Sequence, residues 1–422
     1  MKRIFTLLLL LLMLEAKTQS YFPPLAGNNW DTIAPASLGW CQPSIDSLYA
    51  LLERTNTKGF IILKDGKIVL EKYFGSFTTD SVHYWASAGK SLMAVVAGVA
   101  QEKGFININN SVSGYLGAGW TAAPAAKENA ITVRHLLSMT SGLDDTPAPP
   151  CDNESPEASC LTYRTDTSQR WAYHTGAYQK IASVLSAASG QGINGFTNQQ
   201  VANRIGMTGL WVAGVYYSKT RSMARFGLLA LNKGVWQNDT LIKNAAYWNQ
   251  MTSTSQPFNP AYGYLWWLNG KSSFLAPGIP FPFNGSLVPN APPDMFAALG
   301  KNDQKIYVVP SKGLVVVRTG ESAYGVALAF SPFDVELWGK IDSLDRFCRY
   351  SFTGNGSWSD ANNWSGQQKP PAFLEKNASI VVSPSAGGTS VLDVPQTLAA
   401  GTKLEVMPDA KFIIQGNLQI QQ

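Results

Sequence analysis

The stretch "WASAGKSL" (85–92) places a hydroxyl at Ser87 and an amine at Lys90, three residues apart, at the mouth of a segment with hardly a charge in it. With Ser87 at the start of a helix, Lys90 lies one turn on and on the same face, within reach of the serine oxygen. The free N–H groups and positive dipole of a helix N-terminus favour an alkoxide at Ser87. Desolvation depresses the pKa of an amine, which lets Lys90 accept the serine proton. Alone, S-x-x-K is weak: a chain of this serine and lysine content produces it by chance about twice. A surface N-cap serine beside a solvated lysine is then the competing reading. The surroundings favour chemistry, because Ser87 follows a strand hairpin and opens a helix that is apolar on nearly all sides from Leu92 to Ala100.

Further segments carry a resemblance. "GFIILKDGKIV", "WASAGKSLMAVVAGVAQEKGFI", "ITVRHLLSMTSGLD", "WAYHTGAYQKIASVL", "MARFGLLALNKGVW", "YGYLWWL" and "FAALGKNDQKIYVVPSKGLVVVRTG" follow one another in this order. Over roughly residues 40–345 the chain resembles the serine β-lactamase-related family: class C β-lactamases, D-alanyl-D-alanine carboxypeptidases, and the 6-aminohexanoate-dimer hydrolases and esterases, the last branch looking most similar. The resemblance implies three motifs. The first is Ser87 with Lys90. The second is Tyr173-His174-Thr175, where Tyr173 would hydrogen-bond Ser87 and Lys90, pass a proton to the leaving group and then activate water. Thr175 stands where the family has Asn or Ser, and would orient Lys90 or a substrate carbonyl. The third is Ala298-Leu299-Gly300, in place of the Lys-Thr-Gly of β-lactamases, on a strand lining the site. Its glycine allows close approach of the substrate. The backbone N–H groups of Ser87 and Lys301 would form the oxyanion hole.

Ala298 is a departure from the pattern. It removes the cation that helps β-lactamases hold a substrate carboxylate, a loss of roughly 1–3 kcal/mol of recognition. This favours an ester or linear amide over a β-lactam. Lys301 supplies a cation nearby, on the strand face opposite Ala298 and Gly300. Trp85, Trp171, Trp266, Trp267 and the loop "APGIPFPFNGSLVPNAPPDMF" are candidates for an apolar acyl pocket, with core packing an equal or better reading for each tryptophan.

The elements that must position these groups are legible in the pattern. A helix covers 45–54, and Asp65-Gly66 turns a hairpin between two strands. Helices follow at 91–105, at 131–142 up to Gly142, at 178–189, and at 221–234 closed by Gly234. Two antiparallel strands within 296–320 join at Pro310-Ser311-Lys312-Gly313, and a last amphipathic helix spans 333–347. Strands at both ends with helices between predict an α+β, β-lactamase/transpeptidase-like domain: an antiparallel sheet flanked by helices, plus a helical subdomain. After Tyr350 the composition turns polar and rich in Gly and Asn, then gives short β-type runs at intervals of about ten residues. They predict a small all-β C-terminal module, with a solenoid as one option. Trp358 and Trp364 would stack on sugars or, the better reading, fill its small core.

The 422 residues are 45% hydrophobic and 14% charged, which argues against disorder. Residues 1–20 read as a signal peptide, with Lys2 and Arg3 before an apolar run from Ile4 to Leu14 that is too short for a membrane span. Cleavage after Ser20 lowers the net charge from +5 by two, too small an excess to predict nucleic-acid or membrane binding. Four cysteines in an exported chain suggest two disulfides, with three pairings open. A local bridge between Cys151 and Cys160 across a polar loop is favoured, leaving Cys41 with Cys348; four reduced, buried thiols are the competing reading. No Cys/His grouping has zinc spacing, and neither metal nor cofactor is expected.

These observations predict a signal peptide (1–20), a serine hydrolase domain (21–348) and a small β-rich domain (349–422), in a periplasmic or extracellular protein. The expected reaction cleaves an ester or linear amide through an acyl-enzyme on Ser87, with a small ester, amide or short peptide as substrate and no nucleic-acid partner. Residues 350–422 would provide surface or carbohydrate contact. The rivals are a D-amino-acid peptidase or penicillin-binding protein acting on peptidoglycan, and an inert catalytic fold that serves as a binding module.

Overall fold

The computed structural model describes residues 20–325, 328–344, 348–376 and 378–421. The signal segment 1–20 therefore lies outside the described residues, apart from Ser20. Five helices matter for the site: α1 (Gln42–Arg54), α2 (Gly89–Glu102), α3 (Thr175–Ser189), α4 (Thr220–Leu231) and α5 (Pro332–Asp342). They surround a six-stranded antiparallel sheet of β1 (Thr57–Lys64), β2 (Lys67–Tyr73), β3 (Trp267–Leu268), β4 (Phe296–Gly300), β5 (Gln304–Val309) and β6 (Leu314–Gly320). The order across the sheet is β2-β1-β6-β5-β4-β3. The first and last thirds of this region thus build one sheet, as the sequence pattern predicts.

Helices cover both faces. Along β5, Ile306 meets α4, where a Cβ added at Gly227 would lie 3.0 Å from its Cγ2. Its neighbour Tyr307 points the other way and packs edge-on against Trp338 of α5, with centroids 5.5 Å apart. The period of two along a strand thereby assigns every sheet residue to one helical layer or the other. Residues 103–205, apart from α3, form mostly short helices and loops beside α2, among them Val133–Leu137. The helix expected to run to Gly142 is this single short element, because Met139 adopts a left-handed φ of 59° and breaks it.

The segment 296–320 contains three strands rather than the expected two. The additional turn is Lys301-Asn302-Asp303, where Asn302 and Asp303 both have φ of 58°. Asn and Asp tolerate that region better than other non-glycine residues. A buried ionic cluster anchors the turn. Lys305 Nζ lies 2.9 Å from Asp334 Oδ2 and 3.2 Å from Asp303 Oδ1, and all three side chains are sealed from water. Arg318 donates to the carbonyls of Asn302 and Asp303, each at 3.1 Å. Tyr307 donates to Asp334 Oδ1 at 2.5 Å, and Asp334 closes a capping box with Ser331 at the start of α5.

The described C-terminal residues form nine short strands in three parallel three-stranded sheets. Strands beginning at Cys348, Ala378 and Lys403 make one sheet. Those at Gly356, Thr389 and Lys411 make the second, and those at Phe373, Gln396 and Leu418 the third. Three successive coils each give one strand to each side, so the module is a three-sided parallel β-solenoid. Its repeat escapes a sequence scan because the first coil carries the inserted loop with Trp358 and Trp364. Both indoles are buried and pack edge-on, 5.0 Å apart, and their N–H groups donate to Ser390 Oγ and the Trp358 carbonyl. They fill the solenoid core and present no face for a sugar.

Both disulfides have the favoured pairing: Cys151–Cys160, and Cys41–Cys348 linking the N-cap of α1 to the first solenoid strand. No helix among the described residues is long and apolar enough to cross a membrane. The buried ion cluster yields a first prediction. Asp334→Ala leaves Lys305 with one carboxylate partner and should lower stability by about 3–5 kcal/mol, read from urea unfolding; a loss under about 1 kcal/mol would show the cluster to be dispensable.

Candidate active site

Ser87 occupies a 3-10 turn (Ala86–Ala88) that runs directly into α2. The preceding Ala86 has φ of 47°, a conformation that L residues with a Cβ adopt rarely and at a cost. The turn is held from behind by Trp85. Its backbone N–H bonds Tyr216 O at 2.8 Å, its indole N–H bonds Ser218 Oγ at 2.7 Å, and its ring sits between Tyr216 and Phe226. Lys90, in the first turn of α2, reaches back so that Nζ lies 3.1 Å from Ser87 Oγ. Residues three apart at a helix start meet as the spacing predicts.

Lys90 is 5% exposed. Burial lowers its pKa to about 7, opposed by the Glu154 carboxylate and assisted by the Lys301 ammonium. Near neutrality a large fraction of the amine is therefore uncharged and able to take a proton. Aromatic faces enclose it, with Nζ 4.7 Å from the centroid of Tyr178 and 5.2 Å from that of Tyr173. Tyr173 comes from the extended segment just before α3, and its phenol lies beside Ser87. Burial holds the phenol far above its ordinary pKa, which the neighbouring Ser87 hydroxyl partly offsets, so it stays protonated. The three groups singled out in the sequence converge on one point.

Gly300 at the end of β4 presses on the same turn. A Cβ there would fall 2.4 Å from the Trp85 carbonyl oxygen and 3.0 Å from the Ala88 nitrogen. The following amide, that of Lys301, is thus placed beside the Ser87 turn. Ala298 shares Gly300's face by strand alternation and is fully buried. Leu299 does not belong with them. It pairs with Lys305, whose side chain reaches Asp334 of α5, so Leu299 faces the opposite layer from Ser87. The Lys301 ammonium bears on Lys90 electrostatically, so a cation stands near the site despite Ala298.

The Thr175 backbone N–H is held by Asn153 Oδ1 at 3.0 Å, and the ring of Tyr178 flanks Lys90. Tyr178 was legible only as one apolar position of a helix, and Asn153 only as part of the polar loop between Cys151 and Cys160.

Beside Tyr173 opens a cavity of about 430 Å³. Trp171, Phe258, Leu275, Ile279 and Pro280 make its apolar wall, so the start of the 276–296 loop lines it, and it reaches the catalytic group at Tyr173, with Ser87 and Lys90 outside its lining. Trp85, Trp266 and Trp267 are core residues, leaving Trp171 as the tryptophan that lines the cavity. At the polar end Arg170 is paired with Asp145, and Arg164 lies 3.1 Å from Asp144 and 3.6 Å from Asp145. Two cations against two carboxylates leave that end close to neutral.

The β-lactamase family profile matches residues 52–329, and the chain belongs to that family. Solved structures share the fold. A Bacteroides dorei protein assigned as a β-lactamase is 18% identical, with 72% of this chain and 99% of that one aligned at a TM-score of 0.57. A Bacillus anthracis protein assigned as a 6-aminohexanoate-dimer hydrolase is also 18% identical, with 77% and 88% aligned at 0.56. A family VIII carboxylesterase is 15% identical, with 74% and 98% aligned at 0.55. No curated protein matches the chain.

The Gly300 contact predicts that Gly300→Ala, whose methyl meets backbone rather than a movable side chain, is destabilising by about 1–3 kcal/mol. Thermal unfolding at a tenth of a degree resolves this; an unchanged midpoint would mean that the turn and strand are not in tight contact.

Proposed function

We propose that the protein is an exported serine hydrolase that cleaves an ester or linear amide through an acyl-enzyme on Ser87. The observation that carries the reading is the desolvated Lys90 amine 3.1 Å from Ser87 Oγ. Lys90 takes the serine proton as Oγ attacks the substrate carbonyl. The proton then passes by way of Tyr173 to the leaving oxygen or nitrogen, whose bond to the acyl carbon breaks. Water, activated by the same pair, releases the acid and regenerates Ser87. The backbone N–H groups of Ser87 and Lys301 hold the oxyanion, an interaction of several kcal/mol in the transition state.

The cavity beside Tyr173 suits the acyl group of a neutral ester. Its wall is apolar, and its arginines already have carboxylate partners. A volume of about 430 Å³ accommodates a short to medium acyl chain. Ala298 argues against efficient β-lactam turnover. The Lys301 ammonium supports a second reading, a D-amino-acid peptidase or penicillin-binding protein that holds a substrate carboxylate there; a stable fluorescent-penicillin adduct on Ser87 would favour it. The two disulfides suit an oxidising compartment, in accord with export.

Ser87→Ala should lower kcat for p-nitrophenyl butyrate by at least about 10³-fold while the fold is retained, and undiminished hydrolysis by the pure variant would refute the assignment. The pH dependence follows from Lys90. Its neutral form is the active one, so kcat/KM should climb as pH rises through about 7 and level off above it. A profile flat from pH 5 to 9 would remove Lys90 from the role of base.

A further inference from the structure

The loop closed by Cys151–Cys160 has no structural signal in the sequence, yet it holds the backbone that follows Tyr173. Asn153 Nδ2 donates to the Tyr173 carbonyl at 2.9 Å and to the Asp145 carbonyl at 3.1 Å. Its Oδ1 accepts the Thr175 N–H at 3.0 Å, and its own carbonyl accepts the Gly176 N–H at 2.8 Å. The carboxamide thus uses donors and acceptor together, and three backbone groups after the phenol's Cα, at Tyr173, Thr175 and Gly176, are tied to one residue. Around it the loop is pressed onto the start of α3. A Cβ at Gly176 would lie 2.1 Å from the Ser155 carbonyl oxygen, and Gln179 Nε2 donates to the Glu154 carbonyl at 2.9 Å. The disulfide joins the two ends of this loop, with Cα atoms 5.3 Å apart.

We propose that Asn153 is a positioning residue for Tyr173, and that the bridged loop 151–160 is the brace that keeps its phenol aimed at Ser87. The proposal rests on the Ser87, Lys90 and Tyr173 reading given above. Asn153 bonds backbone and has no described contact with Ser87 or Lys90, so its effect would pass through the phenol. Tyr173 is otherwise held by ring packing, against Trp171, Tyr262 and Trp267 at centroid distances of 6.0–6.1 Å. Ring packing of that kind restrains a side chain less directionally than hydrogen bonds do, so the brace sets where the phenol oxygen sits. General acid catalysis depends on that placement.

The test uses leaving groups that differ in their need for a proton. p-Nitrophenolate departs unassisted, whereas ethoxide must be protonated as it leaves. With full-length protein and active sites counted by fluorophosphonate titration, Asn153→Ala should lower kcat/KM for ethyl butyrate by about 100-fold and for p-nitrophenyl butyrate by less than about 10-fold. The acyl group is the same, so the ratio of the two values isolates the proton transfer. Equal losses on both esters would overturn the proposal, since a general structural defect scales both alike. Should Asn153→Ala not fold, the double variant Cys151→Ser with Cys160→Ser serves instead. It should move the ratio in the same direction by a smaller factor, and a wild-type ratio in that variant would overturn the role of the brace. Failure of fluorophosphonate to label wild-type Ser87 would instead sink the underlying reading, which keeps the two failures distinct.

Discussion

A primary amine deprived of water is the constraint around which the rest is arranged. Moving the Lys90 pKa from 10.5 to about 7 corresponds to a penalty on the order of 5 kcal/mol for the charged form, a sizeable fraction of the net stability of a typical domain. The fold carries that penalty by surrounding the amine with apolar material. Every residue of α2 from Gly89 to Ala100 is buried, two tyrosine rings cover the ammonium, and Glu154 is the carboxylate that partly opposes the shift. A closer carboxylate would restore the charge and with it the ordinary basicity of a surface lysine.

Rigid backing is the second requirement, and two opposed structures provide it. From one side the Trp85 anchor and the tightly apposed Gly300 fix the serine turn, including the left-handed Ala86. From the other side the turn 301–303, which follows Gly300, is secured by a buried cluster of Asp303, Lys305, Arg318 and Asp334. Buried ion clusters contribute little net stability compared with an apolar packing of the same volume. Here the cluster's contribution lies in holding one short turn against the nucleophile.

How far the sequence alone reveals this depends on the kind of signal. Ser87 and Lys90 were legible because a helix has one geometry, so a spacing of three fixes a face. Tyr173 and Gly300 came from motif order, which survives where local pattern is ambiguous. The sheet was legible in outline from its terminal strands. Leu299 was misplaced because the alternation of a strand was not extended to its partner Lys305. The 301–303 turn was missed because Asn-Asp lacks the glycine that marks most tight hairpins. The solenoid was legible only as β-type runs, since unequal turns and the Trp358–Trp364 insertion hide its period. Asn153 and Tyr178 gave no signal of a role at the site, because their contacts are long-range and belong to loops and ring faces rather than to any periodicity.

The Cys41–Cys348 bridge has a further consequence. It spans 307 positions and encloses the entire sheet, the nucleophile and the cavity within one covalent ring. A protease that nicks any single exposed loop inside that ring opens the circle without dividing the molecule. Both fragments stay fastened to the same solenoid, so a clipped chain keeps its parts at one address, and only reduction as well as cleavage would let them separate.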